Sequence, residues 1–179
     1  MKLTRKRLFV LGAVVAVAAG IAVPAALGVT AIGFLSNTDK QMHDRLFRDG
    51  NPSGCHGKLS PGLFGDQIVR RYDKYTFTNT TGASQCVTVF LAHDCGVNAF
   101  GQANSPFVPA NPAANYLGDA GQSGSPEHFA FPVTAGLTYD IVVGQVDNPL
   151  ATPCPYLLQV TIHGVQQQPV ATAVVGATD

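Results

Sequence analysis

Four cysteines, Cys55, Cys86, Cys95 and Cys154, are the residues best suited to a defined chemistry in this 179-residue chain. Thiols in this number either pair as disulfides or hold a metal. A structural zinc site uses close spacings such as Cys-x-x-Cys or His-x₃-His, and neither occurs. Two disulfides and no metal are therefore expected. Four cysteines allow three pairings, and their spacing does not choose among them.

The remaining candidates are scattered. The histidines are His43, His56, His93, His128 and His163, and only His93 has polar companions beside it, Asp94 and Cys95. Surface and turn positions are expected for them. Ser-His-Asp hydrolysis needs a serine activated by a positioned base beside an oxyanion site. No Gly-x-Ser-x-Gly elbow occurs, and Gly121-Gln122-Ser123-Gly124 has the wrong frame. Asp94, Asp119, Asp140 and Asp147 fall near strand ends or in loops. Calcium takes six to eight oxygen ligands, but no Asp-x-Asp-x-Asp series exists, and Asp favours turns through side-chain to backbone hydrogen bonds. Tyr72, Tyr75, Tyr116, Tyr139 and Tyr156 could stack on sugars, yet they lie inside strand patterns, where core and cross-strand packing explains them. Asn79-Thr80-Thr81 fits a glycosylation sequon, in a turn that favours Asn and Thr anyway. No catalytic residue, metal ligand or cofactor site is assigned.

The elements that must position these residues are strands. Arg70 to Leu91 is the clearest: Tyr75 and Phe77 share one face, Asn79-Thr80-Thr81-Gly82 breaks the run, and Val87, Val89 and Leu91 share a face after it. Alternation of period two marks a half-buried strand. Further strands are expected near Gln67–Val69, Val97–Gln102, Ala114–Gly118, Glu127–Val133, Leu137–Val146 and Tyr156–Ile162. Turn residues separate them, with Gly 19 and Pro 12 in the whole chain. No helical pattern of useful length lies between them, so the expected fold is an all-β, antiparallel sandwich of about seven or eight strands over residues 51–164. Residues 32–50 read as a polar arm, either a linker or one helical turn. Residues 165–179, VQQQPVATAVVGATD, read as a low-complexity tail.

The N-terminus is different in kind. Lys2, Arg5, Lys6 and Arg7 form a basic head, and an apolar run follows from Leu8 to about Leu35. This is the pattern of an export signal, with small residues at Ala25, Ala26 and Ala31. Val29-Thr30-Ala31 is an acceptable cleavage site, giving a mature start near Ile32. The run is also long enough to span a bilayer, which needs about 20 residues, so residues 1–31 are either a signal peptide or a retained anchor helix. Both export the domain, and disulfides suit an oxidising compartment. Without the basic head, seven basic residues face eleven acidic ones, which gives no electrostatic case for nucleic acid.

Taken in order, several stretches resemble a known module. They are Asp49-Gly50-x-x-Ser53-x-Cys55, Arg71-Tyr72-Asp73-x-Tyr75-Thr76-Phe77-Thr78-Asn79, Cys86-Val87-Thr88-Val89, Asn115-Tyr116-Leu117-Gly118-Asp119, Phe129-x-Phe131-x-Val133-x-Ala135-Gly136 and Cys154-Pro155-Tyr156-x-Leu158-x-Val160. Together they are similar to the pre-peptidase C-terminal type of β-sandwich found in bacterial secreted and cell-surface proteins. The resemblance implies a jelly-roll-like sandwich and an accessory role without catalytic residues. The expected function is a non-enzymatic exported module for binding, adhesion or extracellular assembly at the bacterial cell surface. Its partner would be a polysaccharide, a surface protein or itself, with a membrane involved only if the N-terminal segment is retained. Binding is expected through the loops Asn98–Pro112 and Asp119–Pro126 or an exposed sheet edge. The alternative is a small secreted hydrolase or enzyme subunit, which requires three or more of His56, His93, Asp94, Asp119 and Glu127 to converge.

Overall fold

Nine strands make up the fold in a computed structural model that describes residues 27–147 and 153–163. They are β1 (Leu27–Leu35), β2 (Lys40–His43), β3 (Val69–Thr78), β4 (Gln85–His93), β5 (Ala99–Asn104), β6 (Tyr116–Asp119), β7 (Glu127–Val133), β8 (Thr138–Gln145) and β9 (Cys154–His163). A four-stranded sheet in the order β1-β9-β4-β7 and a five-stranded sheet in the order β2-β3-β8-β5-β6 form the two layers. Every pairing is antiparallel. The chain is thus all-β among the described residues, consistent with the expected sandwich.

Alternation along the strands builds the core. Val87, Val89 and Leu91 of β4 and Phe129, Phe131 and Val133 of β7 point inward, meeting Tyr75 and Phe77 of β3 and Tyr139 and Ile141 of β8. Aromatic rings carry much of this contact: Phe131 lies edge-on to Tyr139, with centroids 5.5 Å apart, and Phe77 stacks on Tyr139 at 5.6 Å. Strand β8 is buried on both faces. Its outward Val142 joins Met42, Tyr72 and Phe107 in a second apolar cluster. The segment 105–115 lies over that outer face, held by a Phe107 amide donating to Asp140 Oδ2 (2.9 Å) and a His43 amide donating to Pro109 O (2.8 Å).

The two strands of Arg70–Leu91 lie in different sheets, the link between them crossing the sandwich. Two expectations are corrected. The sandwich does not begin at residue 51. Leu27–Leu35, which falls partly within the expected signal and partly within the expected arm, is the edge strand β1, paired with β9 over its whole length. Residues 36–50 are neither linker nor helical turn, since they supply β2 and the fully buried Leu46, bridged to Leu63. The physical reason is that LGVTAIGFL is apolar on both faces and continuous with the apolar run before it, which hides its period of two. Gly33 fits this strand because a β-carbon there would overlap the Tyr156 ring. The rest of the expected signal or anchor helix, residues 1–26, and the tail 165–179 lie outside the described residues. No described helix is long and apolar enough to cross a membrane.

Candidate interaction surface

The cysteines pair as Cys55–Cys86 and Cys95–Cys154, with Cα atoms 5.4 and 5.2 Å apart. The first ties the segment before β3 to β4. The second ties the turn after β4 to the start of β9. All four expected cysteines are accounted for, and their pairing is now fixed.

Of the five groups that an enzymatic site would need to gather, two meet. His93 Nε2 lies 3.3 Å from Glu127 Oε1, with both side chains fully buried. Glu127 Oε2 accepts from the Gly101 amide at 2.7 Å, so one carboxylate links β7 and β4 to β5 in the opposite sheet. Gly101 permits this, because a β-carbon would crowd Phe129 and the carboxylate. Burial pushes the Glu127 carboxyl up to about 7, against the opposing pull of His93 and the Gly101 amide. The expectation that His93 is a surface or turn histidine is corrected. It continues the inward phase of Val87, Val89 and Leu91, as Glu127 continues that of Phe129, Phe131 and Val133. That phase was the signal available in the sequence.

Asp119 belongs to a second polar knot. Its buried carboxylate accepts from Tyr116 Oη, from the Gly121 amide (2.5 Å) and from Lys58 Nζ (3.2 Å), and Lys58 also reaches Asp49 Oδ1 at 2.8 Å. Burial, reinforced by Asp119, raises the Tyr116 hydroxyl pKa. Ser53 Oγ accepts from the Asp119 amide at 2.8 Å and sits where a β-carbon on residue 118 would lie. Two stretches far apart in sequence, 49–55 and 115–119, therefore lock together at one corner. Asp140 lies elsewhere, accepting from Thr76 Oγ1 (2.6 Å) beneath the 105–115 segment. Asp147 is exposed and its amide donates to Asn98 Oδ1. Among the described residues, no three His, Cys, Asp or Glu side chains are grouped to hold a metal.

The expected binding loops are packed against the body. Phe107, Pro112, Ala120, Gly121 and Ser123 are buried. Tyr72, Tyr75, Tyr139 and Tyr156 are core residues, with Tyr75 and Tyr156 hydroxyls 2.7 Å apart. Asn79 is fully buried, and its amide donates to the carbonyls of Ala83, Val133 and Thr134. It closes a turn and presents no nitrogen for a glycan.

One exposed surface is the outer face of the four-stranded sheet; Phe47, Leu63, Phe64 and Ile68 are exposed elsewhere. Strand register places its outward residues in rows across β1, β9, β4 and β7. Phe34 faces Pro155. The next row is Ile32, Leu157 and Ala92, followed by Thr30, Gln159, Phe90 and His128. Beyond them come Thr161, Thr88 and Ala130, then His163, Cys86 and Pro132. No Lys, Arg, Asp or Glu occupies any of these positions. Phe90 and His128 rings meet edge-on at 4.9 Å, and Thr88 Oγ1 lies 2.8 Å from His163 Nε2. The apolar end of the face is exposed: Ile32 is 75% and Phe34 60% accessible. Large apolar side chains gathered in this way mark interaction sites.

The two edges of this sheet are treated differently. Along β7, the Ala130 amide donates to Ser53 O (2.9 Å), so the backbone beside Cys55 closes that edge. Along β1, β9 is the one strand neighbour among the described residues. Natural edge strands are usually blunted by charge, proline or bulges; β1 has no charged residue and no proline, and its register with β9 runs unbroken.

A scan against protein-family models finds none that matches this chain, and a search of curated proteins finds no relative.

Proposed function

We propose that this chain is an exported, non-enzymatic β-sandwich subunit that associates with a second copy of itself at the bacterial cell surface. The contact uses the β1 edge and the adjoining outer face of the four-stranded sheet. One observation carries this reading: a sheet face without Lys, Arg, Asp or Glu ends in exposed Ile32 and Phe34, on a strand whose one strand neighbour among the described residues is β9. In a twofold contact each residue near the axis meets its own counterpart, so a charged side chain would face its like. A face without such charges is complementary to itself. Export is supported by the basic head, the apolar run and the two disulfides. The jelly-roll likeness and the resemblance to the pre-peptidase C-terminal-type module belong to the same proposal.

Magnitudes set the scale. Burying a large apolar side chain stabilises by about 1.5–3 kcal/mol, so Ile32 and Phe34 from two copies contribute about 6–12 kcal/mol. Association costs about 4–15 kcal/mol. The four side chains alone do not secure a tight complex, and the threonine and aromatic rows must join the contact. A hydrolase has less support, because His93 and Glu127 are sealed inside the sandwich.

Sedimentation of the exported, oxidised protein between roughly 1 and 100 µM, the range of ordinary specific association, tests the proposal. The parent is expected to dimerise or assemble further. The Ile32→Lys, Phe34→Lys double variant is expected to stay monomeric with an unchanged far-ultraviolet spectrum. A parent that stays monomeric throughout overturns self-association, as does a folded double variant that assembles as well as the parent.

A further inference from the structure

The fold constrains where the export segment can be removed. We infer that processing cuts between Ala25 and Ala26, leaving β1 whole, and not after Ala31. The inference rests on the export reading above. Val23-Pro24-Ala25 offers a processing protease the same Val-x-Ala pattern as Val29-Thr30-Ala31, so the local motif alone does not decide.

Two independent observations do. The first is strand register. Leu27 to Ala31 form five of the nine positions at which β1 pairs with β9, from Leu27↔Ile162 to Ala31↔Leu158. Val29 and Ala31 pack against the core beside their buried cross-strand partners Val160 and Leu158. A cut after Ala31 removes this half-strand, uncovers the backbone of β9 from Leu158 to Ile162 and places a charged amino group at Ile32, beside Leu157 within the sheet. A cut after Ala25 keeps all nine described positions of β1, Leu27 to Leu35. The second is length. An export signal carries an apolar region of roughly 7–15 residues. Leu8 to Ala22 is fifteen residues, which seats the cut after Ala25. A cut after Ala31 demands an apolar region longer than that range.

Intact mass and N-terminal sequencing of the full-length chain, expressed in a bacterium and recovered outside the cytoplasm, test this. The expected mature chain begins at Ala26. Leucine at the residue before the cut should block processing, so Ala25→Leu is expected to accumulate unprocessed chain, while Ala31→Leu is still cut after Ala25. An exported protein that begins at Ile32, or one that keeps Met1 or residue 2 as its terminus, overturns the cleavage site while leaving export intact. A chain that stays in the cytoplasm with reduced thiols overturns both.

Discussion

The Glu127 carboxyl is buried between the two sheets, and replacing it with its neutral isostere predicts a specific pH signature. In the folded protein burial lifts it to about 7 from an ordinary value of 4.5, although His93 and the Gly101 amide favour the ionised form. A group whose folded pKa is raised stabilises the fold while protonated. That contribution is fully present below pH 4.5 and is lost as pH rises through about 7. One pKa unit corresponds to 1.36 kcal/mol, so a shift from 4.5 to about 7 makes the loss slightly over 3 kcal/mol, a large share of the 5–15 kcal/mol typical of a domain. Glu127→Gln keeps an oxygen to accept from Gly101 and offers an N–H to the His93 ring, but it does not ionise. Urea unfolding of the oxidised parent and variant at intervals from pH 4 to pH 8 gives the comparison. The two are expected to be nearly equal at pH 4, with the variant more stable by about 3 kcal/mol at pH 8. A stability difference that stays constant with pH would refute the linkage. A variant less stable than the parent at pH 8 would show that a charged Glu127–His93 pair holds the sheets, the reverse of the burial argument.

Other perturbations follow from the same packing. Sequence separations of 31 and 59 residues between bridged cysteines predict about 4 kcal/mol from each disulfide by loop-closure entropy; replacing Cys95 and Cys154 with serine should lower the urea midpoint sharply, and an unchanged midpoint would contradict it. Gly33→Ala forces a methyl into the Tyr156 ring, for an expected loss of about 1–3 kcal/mol from overpacking, read by thermal unfolding; a variant as stable as the parent refutes the strand placement. Asn79→Ala removes an amide that donates to three buried or half-buried carbonyls, although Ala83 O keeps Thr81 Oγ1 and Thr134 O keeps the Leu137 amide, and should cost about 1–3 kcal/mol. Secretion from a glycosylating host should add no glycan mass at Asn79, and a glycan there would contradict its burial.

Much of the scaffold was legible in the residues. β4, β7 and β9 alternate cleanly because one side of each packs on the core while the other faces outward, and seven of the nine strands fall where their pattern places them. β1 and β2 did not. A strand whose two faces are both apolar loses its period of two, and β1 is also continuous with an export-like segment. β2 is four residues long, of which one, Met42, is buried, too short to show a pattern.

The sequence by itself determined the class of object: an all-β sandwich domain in a chain with four cysteines, few charges and no nucleophile elbow or metal spacing. Those properties are local, set by residue type and near-neighbour periodicity. Tertiary structure alone decided the rest. It chose one cysteine pairing of three, brought His93 and Glu127 together across 34 residues and packed Phe107, Pro112 and Ser123 of the loops expected to bind against the body. It also aligned outward residues from four separate strands into one face without Lys, Arg, Asp or Glu, with β1 at its edge. No local pattern encodes that surface, because its rows join positions more than 120 residues apart, Ile32 and Leu157 among them, and only strand register makes them neighbours.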